Sequence, residues 1–235
     1  MKDPTRIPEV IALLQRAWEA QPDRTLAEIW GSLENRGLGW ATADGDLVEL
    51  LRRQCQIHPA VLRQEDLVDT FAVVETESPR RKVTIDPVDK RVTVRSPDGE
   101  VRTTSWCGGE IARLVAGAPL LLRDSAGIDH RIGVVRETTV HPRPADIDLS
   151  GVLRRELEDR LYGLIVAGGE ENDRHLVVLG HSIEVFTVGL RTVDTQRIRF
   201  ERIDTCRPGT QLSLTLRGGR RCDLGEVMQI FPLDA

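Results

Sequence analysis

The chain has 235 residues, 40% of them hydrophobic and 29% charged, with a formal net charge of −5. That length suits one large domain or two modest ones, and the composition excludes a collagen-like rod, a coiled-coil rod and a disordered acidic tail. The negative balance also argues against strong non-specific binding to nucleic acid or anionic lipid, which needs a basic surface.

The first quarter reads as helix. From Pro8, the residues Val10, Ile11, Leu13, Leu14, Ala17 and Trp18 recur at helical spacing, with Asp3 or Thr5 placed to cap. Gln21-Pro22-Asp23 stops this helix. Thr25 then opens a second one, with Glu28 in capping-box position and Ile29, Trp30 and Leu33 on one side. Asp44 or Asp46 opens a third, through Leu47, Val48, Leu50 and Leu51, closed by His58-Pro59, and a short turn over Ala60–Gln64 comes next.

From Phe71 the period changes to two. Phe71–Glu77, Val83–Asp86, Arg91–Arg95 and Val101–Trp106 are strand candidates, the last two separated by the turn signal Ser96-Pro97-Asp98-Gly99. A short helix is expected over Glu110–Ala116, then strands over Leu120–Arg123 and Arg131–Val140. After the rigid break His141-Pro142-Arg143-Pro144, Asp148 or Ser150 is expected to cap a helix reaching Arg160. Further strands are expected over Leu161–Val166, His175–Leu179, Ile183–Leu190, Arg197–Ile203, Gln211–Leu216, Arg220–Leu224 and Val227–Phe231, with a hairpin loop at Gly168–Asp173. Leu120–Val140 and His175–Val193 share a loose pattern that hints at a duplicated β unit.

The expected fold class is therefore α+β. A helical module over residues 1–66 precedes a mostly antiparallel β-rich domain over 67–235, a sheet or small barrel with two short helices and a candidate division near 141–150. Met1–Glu9 lacks the apolar core of a signal peptide, and no run is long enough to span a bilayer, so a cytoplasmic protein is expected. The cysteines at 55, 107, 206 and 222 form no C-x-x-C pair. They read as free thiols in a reducing compartment, and whether Cys206 and Cys222 pair stays open.

The residues Arg6-Ile7, Glu9-Val10-Ile11, Leu13-Leu14-Gln15, Ala17-Trp18, Pro22-Asp23 and Leu26, with a looser tail from Leu33 to Leu47, resemble the YihD-like family of small uncharacterised bacterial proteins. The likeness spans residues 6–59. It implies a small helical cytosolic domain and carries no catalytic residue. His175–Gly180 and Thr195–Ile203, ending Arg197-Ile198-Arg199-Phe200-Glu201-Arg202-Ile203, are similar to the WYL-type barrel of bacterial transcription regulators, although His175 and Leu176 stand where that family has its Trp-Tyr pair.

Among candidate chemistries, Cys107 is the most interesting thiol. It precedes Gly108-Gly109 and an expected helix start, where a helix dipole lowers a thiol pKa; His130, His141 or His181 is a candidate base. The bland alternative is a small residue ending a strand beside Trp106. The histidines never fall at metal-binding spacing, and no metal or cofactor is expected. Of the 32 basic residues 29 are arginine, but they are scattered rather than striped, and residues 1–66 carry a net charge of −3 (8 basic, 11 acidic). The leading expectation is a non-enzymatic protein-interaction or small-ligand-binding protein. The alternatives are a DNA-binding or ligand-sensing regulator and a thiol-dependent hydrolase using Cys107. Nucleic acid and membrane are disfavoured as partners, while self-association is open. Trp40, Arg80, Arg81, His130 and His141 are the binding candidates, because they sit at expected turns or loop edges.

Overall fold

A computed structural model describes residues 4–98, 101–168, 174–188 and 193–234. Three helices come first: α1 (Arg6–Glu19), α2 (Leu26–Glu34) and α3 (Asp44–Ile57). Their inward stripes meet at Ala17, Leu33 and Leu51, flanked by Val10, Leu13, Leu14, Leu47 and Leu50. Thr25 caps α2 as expected: its backbone N–H donates to Glu28 Oε2 at 2.7 Å, and Glu28 N–H donates to Thr25 Oγ1 at 3.3 Å. Thr5 precedes α1 but makes no side-chain cap bond. An Arg6–Asp44 ion pair ties the first turns of α1 and α3 together. Among the described residues no helix is long and apolar enough to cross a membrane.

The rest is two curled antiparallel sheets of seven strands each. The first holds β1 (Thr70–Glu77), β2 (Arg81–Asp86), β3 (Arg91–Arg95), β4 (Thr104–Cys107), β5 (Glu110–Arg113), β6 (Pro119–Arg123) and β7 (Asp129–Pro142), in the order β4-β3-β2-β1-β7-β6-β5. Its central strand β1 is buried on both faces at Phe71, Ala72, Val73 and Val74, which explains an unbroken apolar run where alternation would be expected. The edge strands β4 and β5 are separated only by Gly108-Gly109. Three Cα steps span at most about 11 Å. The chain thus crosses from one edge of the sheet to the other within that distance, which draws the edges together and curls the sheet. The short helix expected at Glu110–Ala116 is instead β5: Ile111 pairs with Leu122, and Gly109 passes so close under Val92 that a Cβ would lie 2.3 Å from its methyl. Only an extended chain bridges β4 to β6, so tertiary pairing overrides local helix preference.

The second sheet holds β8 (Leu161–Ala167), β9 (Arg174–Leu179), β10 (Ile183–Val188), β11 (Val193–Ile198), β12 (Phe200–Thr205), β13 (Gln211–Leu216) and β14 (Arg221–Asp234), in the order β11-β10-β9-β8-β14-β13-β12. The single strand expected over Arg197–Ile203 breaks at Arg199 into β11 and β12, again on opposite edges. The two strands expected at Arg220–Leu224 and Val227–Phe231 are one strand, β14. The hairpin loop expected at Gly168–Asp173 falls mostly outside the described residues, as do the last residues of Ile183–Leu190. The helix expected up to Arg160 shrinks to one 3-10 turn, Arg154–Leu157. The reason is a competing ladder: Gly151 N–H donates to Ile203 O at 2.7 Å and Ile203 N–H to Val152 O at 2.9 Å, which holds the preceding segment extended along β12. Similarly, the turn expected at Ala60–Gln64 becomes a 3-10 turn at Gln64–Asp66, after Leu62 N–H has bonded Leu114 O at 3.1 Å.

Written with β8 as the first strand, the second sheet has the same order as the first. The correspondence extends to residues at a constant shift of 92 positions (117 to 209, 135 to 227). Ile111, Gly117, Leu120, Leu122, Gly127, Gly133 and Val135 recur as Ile203, Gly209, Leu212, Leu214, Gly219, Gly225 and Val227. The backbone repeats as well. Gly117 N–H donates to Val135 O and Gly209 N–H to Val227 O, both at 2.8 Å; Val135 N–H donates to Ala118 O at 2.9 Å and Val227 N–H to Thr210 O at 2.8 Å. The second sheet is a structural repeat of the first. The pairing suggested by Leu120–Val140 and His175–Val193 is out of phase, because β6–β7 corresponds to β13–β14 and not to β9–β10.

The chain divides into two compact units, Met1–Pro142 and Arg143–Ala235. The first contains the helices and the first sheet. Its β core is built on Val74, Val83, Ile85, Val92, Leu120, Leu122 and Val135. The second unit's core is built on Leu164, Val166, Val177, Ile203, Leu212, Leu214 and Val227.

Candidate functional site

Cys107 lies exposed at the end of β4. A glycine turn and then a strand come after it, so no helix N-terminus faces the thiol and the dipole argument for its activation falls away. Its neighbour Trp106 reaches His130, with ring centroids 5.6 Å apart. Successive strand residues point to opposite faces, so Cys107 leaves β4 on the side away from that contact. Among the described residues no hydrogen bond joins Cys107 to a histidine. His130 Nε2 instead meets Asp124 Oδ2 at 2.8 Å. That bond, with the Ile128 and Ala126 N–H groups, holds the Asp124 carboxyl below its usual range. Asp124 thus organises the β6–β7 turn, and His130 braces it.

The other sequence candidates lie apart. His141, on β7, stacks on Phe71 across the strand pair with centroids 5.1 Å apart. Arg80 and Arg81 sit at the β1–β2 turn, where Arg80 approaches Asp98 at 3.8 Å and Arg81 Nη1 donates to the Arg80 carbonyl at 2.7 Å. His181 falls in the bend between β9 and β10. Trp40 stands fully exposed in the loop before α3. Cys206 and Cys222 are both free thiols. Cys206 ends the run of β12, and Cys222 lies on β14, with β13 between them, so they are not on neighbouring strands. Burial pushes the Cys206 thiol up to about 12, helped by Asp148. In the native chain Cys107 should therefore react with an alkylating reagent within minutes at neutral pH, while Cys206 should react only after unfolding. Mass spectrometry of partly labelled protein reads both, and labelling of Cys206 as fast as Cys107 would contradict the burial.

Sequence reasoning missed the polar junction between the helices and the first sheet. Glu137 on β7 is met by two residues from the helical region: His58 Nδ1 lies 3.0 Å from Oε1, and Arg24 Nη2 lies 3.1 Å from Oε2. His58 Nδ1 also approaches the Thr138 carbonyl at 3.3 Å. Burial alone would raise the Glu137 pKa, but the His58 hydrogen bond and the Arg24 charge outweigh it and hold the carboxyl below the ordinary range. Beside this junction, Arg136 lies between Asp23 at 3.1 Å and Glu77 at 3.6 Å. Glu137 is an outward position of an alternating strand, and nothing local announces what packs there. In the second unit a comparable ladder runs across β12–β14. Arg202 bonds Asp204 at 2.7 Å, Thr215 Oγ1 donates to Asp204 Oδ2 at 2.7 Å, and Arg221 donates to Ser213 Oγ at 3.1 Å. The opposite charges pair within their own strands, Arg202 with Asp204 and Arg221 with Asp223, and the hydroxyls of Thr215 and Ser213 link neighbouring strands.

The helices carry a surface of another kind. Ile7, Ile11 and Trp18 share one outward stripe of α1, and all three are exposed. Trp18 also lines an open groove of about 630 Å³ together with Pro22 and Leu26, with Glu19, Asp23 and Arg24 among its polar lining. Trp18 Nε1 donates to the Arg24 carbonyl at 2.7 Å, which fixes the indole against the α1–α2 turn. Trp18 and Trp30 are each 41% exposed, while every phenylalanine and the single tyrosine are buried. Among the described residues no group of His, Cys, Asp and Glu is arranged to hold a metal ion. No family model, curated protein or solved structure matches this chain.

Proposed function

We propose that the chain is a non-enzymatic protein-interaction protein whose N-terminal helices meet the partner, the two β units serving as scaffold. One observation carries this reading: the exposed aromatic side chains, Trp18, Trp30 and Trp40, all belong to the helical region, which a free-standing bundle would gain by burying. Tryptophan is also among the residues that dominate binding energy at protein interfaces. The thiol-hydrolase alternative is weakened because, among the described residues, no hydrogen-bonded base meets Cys107. The DNA-binding alternative is weakened by the net charge of −3 over residues 1–66 (8 basic, 11 acidic).

Site-specific photo-crosslinking in the producing cell tests this. A photoreactive residue at Ile11, on the exposed stripe, is expected to capture a discrete protein partner, and one at Val88, in the exposed β2–β3 turn, is not. Capture through Val88 alone would overturn the proposal, as would turnover that survives purification and vanishes in Cys107→Ala.

A further inference from the structure

We propose that the groove between α1 and the start of α2 receives an amphipathic helix that carries lysine or arginine beside its apolar stripe. The inference rests on the interaction reading above and names the class of partner.

The floor sets the apolar requirement. Trp18, Pro22 and Leu26 line the groove, and the exposed Ile7 and Ile11 lie on the same helical stripe as Trp18, so apolar side chains follow α1 up to the groove. An elongated apolar track of this kind matches the i, i+3, i+4, i+7 anchors of a helix lying in a groove. A compact small molecule would leave most of it wet.

The rim sets the charge. Its cation Arg24 is already engaged by Glu137, and Asp23 is met by Arg136. Glu19 is not balanced in the same way: it takes a hydrogen bond from the neutral amide of Gln15 at 2.7 Å and has no ion-pair partner among the described residues. A partner bringing cations to this rim gains attraction at Glu19, whereas an acidic partner meets repulsion. The same imbalance disfavours a second copy of this chain as occupant, since its own helical region is acidic.

The test uses the full chain and two synthetic 18-residue helices with identical leucine stripes, one flanked by lysines and one by glutamates. Titration is monitored by tryptophan emission and by calorimetry. The lysine peptide is expected to bind at least tenfold more tightly than the glutamate peptide, and the difference should shrink as salt is raised. Leu26→Asp removes the floor, and an acidic residue in the first turn of α2 suits the helix dipole, so the variant keeps its fold; it should weaken the lysine peptide at least tenfold. Glu19→Lys should abolish the preference between the peptides, and circular dichroism confirms the fold of both variants. Equal binding of the two peptides, lost in Leu26→Asp, would overturn the basic partner yet leave helix docking intact. Binding of neither peptide, with Ile11 still crosslinking a protein, would overturn the helix as occupant while the interaction reading stands. Self-association dissolved by Leu26→Asp would replace the proposed partner with a second copy.

Discussion

Gly225→Ala should lower stability by about 3–5 kcal/mol, roughly the sum of a left-handed residue and an overpacked site. Gly225 has φ +116°, and a Cβ there would sit 2.1 Å from the Ala167 carbonyl oxygen. The oxygen belongs to paired backbone, Glu226 lying opposite Ala167, so it cannot step aside without disturbing the β8–β14 ladder. Gly133, its counterpart in the first sheet, is similarly enclosed, with Pro79 O at 2.8 Å and Glu77 O at 2.9 Å from the same construction. Gly218→Ala provides the contrast: its φ is +80°, but nothing lies within 4 Å. That variant should lose only about 1 kcal/mol. Thermal and urea unfolding of the Gly225, Gly133 and Gly218 alanine variants measure the order. A Gly225→Ala chain as stable as Gly218→Ala would mean that the β8–β14 ladder relaxes freely at this point.

Glu137→Ala should cost about 2–4 kcal/mol, because it strands His58 and Arg24 beside a buried site that loses its anion. Glu137→Gln retains the shape and one acceptor, so about half of that is expected. The side chains of His58 and Glu137 are 11% and 15% exposed, which keeps the interaction from being screened like a surface pair. The direction of the Glu137 shift sets the pH dependence. Its folded pKa lies below the ordinary value. The stabilisation is complete above the ordinary glutamate range and is lost as pH falls through the lower folded value. Acid unfolding of the native chain should steepen there, and Glu137→Gln should lack that component. Identical acid profiles for the two proteins would show that the carboxylate contributes nothing to holding the sheet against the helices.

The repeat adds a contrast at the same position. Glu137 corresponds to Gln229 at the shift of 92 positions that relates Gly133 to Gly225. The first copy has an anion at this point of its last strand, where Arg24 and His58 converge. The second has a neutral amide at the equivalent place. The scaffold is repeated, and the charge is specific to the unit that carries helices.

Much of the local structure is legible in the sequence. Thr25 with Glu28 marks the start of α2, since a capping box satisfies its donors within four residues. Arg91–Arg95 and Gln211–Leu216 are legible as strands because alternation is a property of contiguous residues. Glu110–Ala116 and the stretch up to Arg160 mislead for a shared reason. Each is drawn into backbone pairing with residues beyond the reach of a helical turn, 11 to 13 positions away for Glu110 and Ile111 and 52 for Gly151, and those bonds outcompete a short helix. The out-of-phase repeat has a similar origin: the shared positions are single core residues and glycines spread over some 25 positions, with the residues between them changed, so no contiguous run marks the correct phase. Of the candidate site, Trp40 is visible in sequence as a loop residue, whereas Ile11 and Trp18, which read as members of the apolar stripe of α1, are exposed, and the junction at Glu137 leaves no sequence signal.

Hydropathic period and turn chemistry by themselves determined the helical start, the change to strands near residue 70 and most strand positions, because these depend on neighbours along the chain. Tertiary structure decided the strand order, the joining of edges through Gly108-Gly109 and Arg199, the partners of Glu137 and the fate of Cys107. Those depend on which distant backbone groups meet, and pairing energy between remote segments leaves no periodic trace in the order of residues.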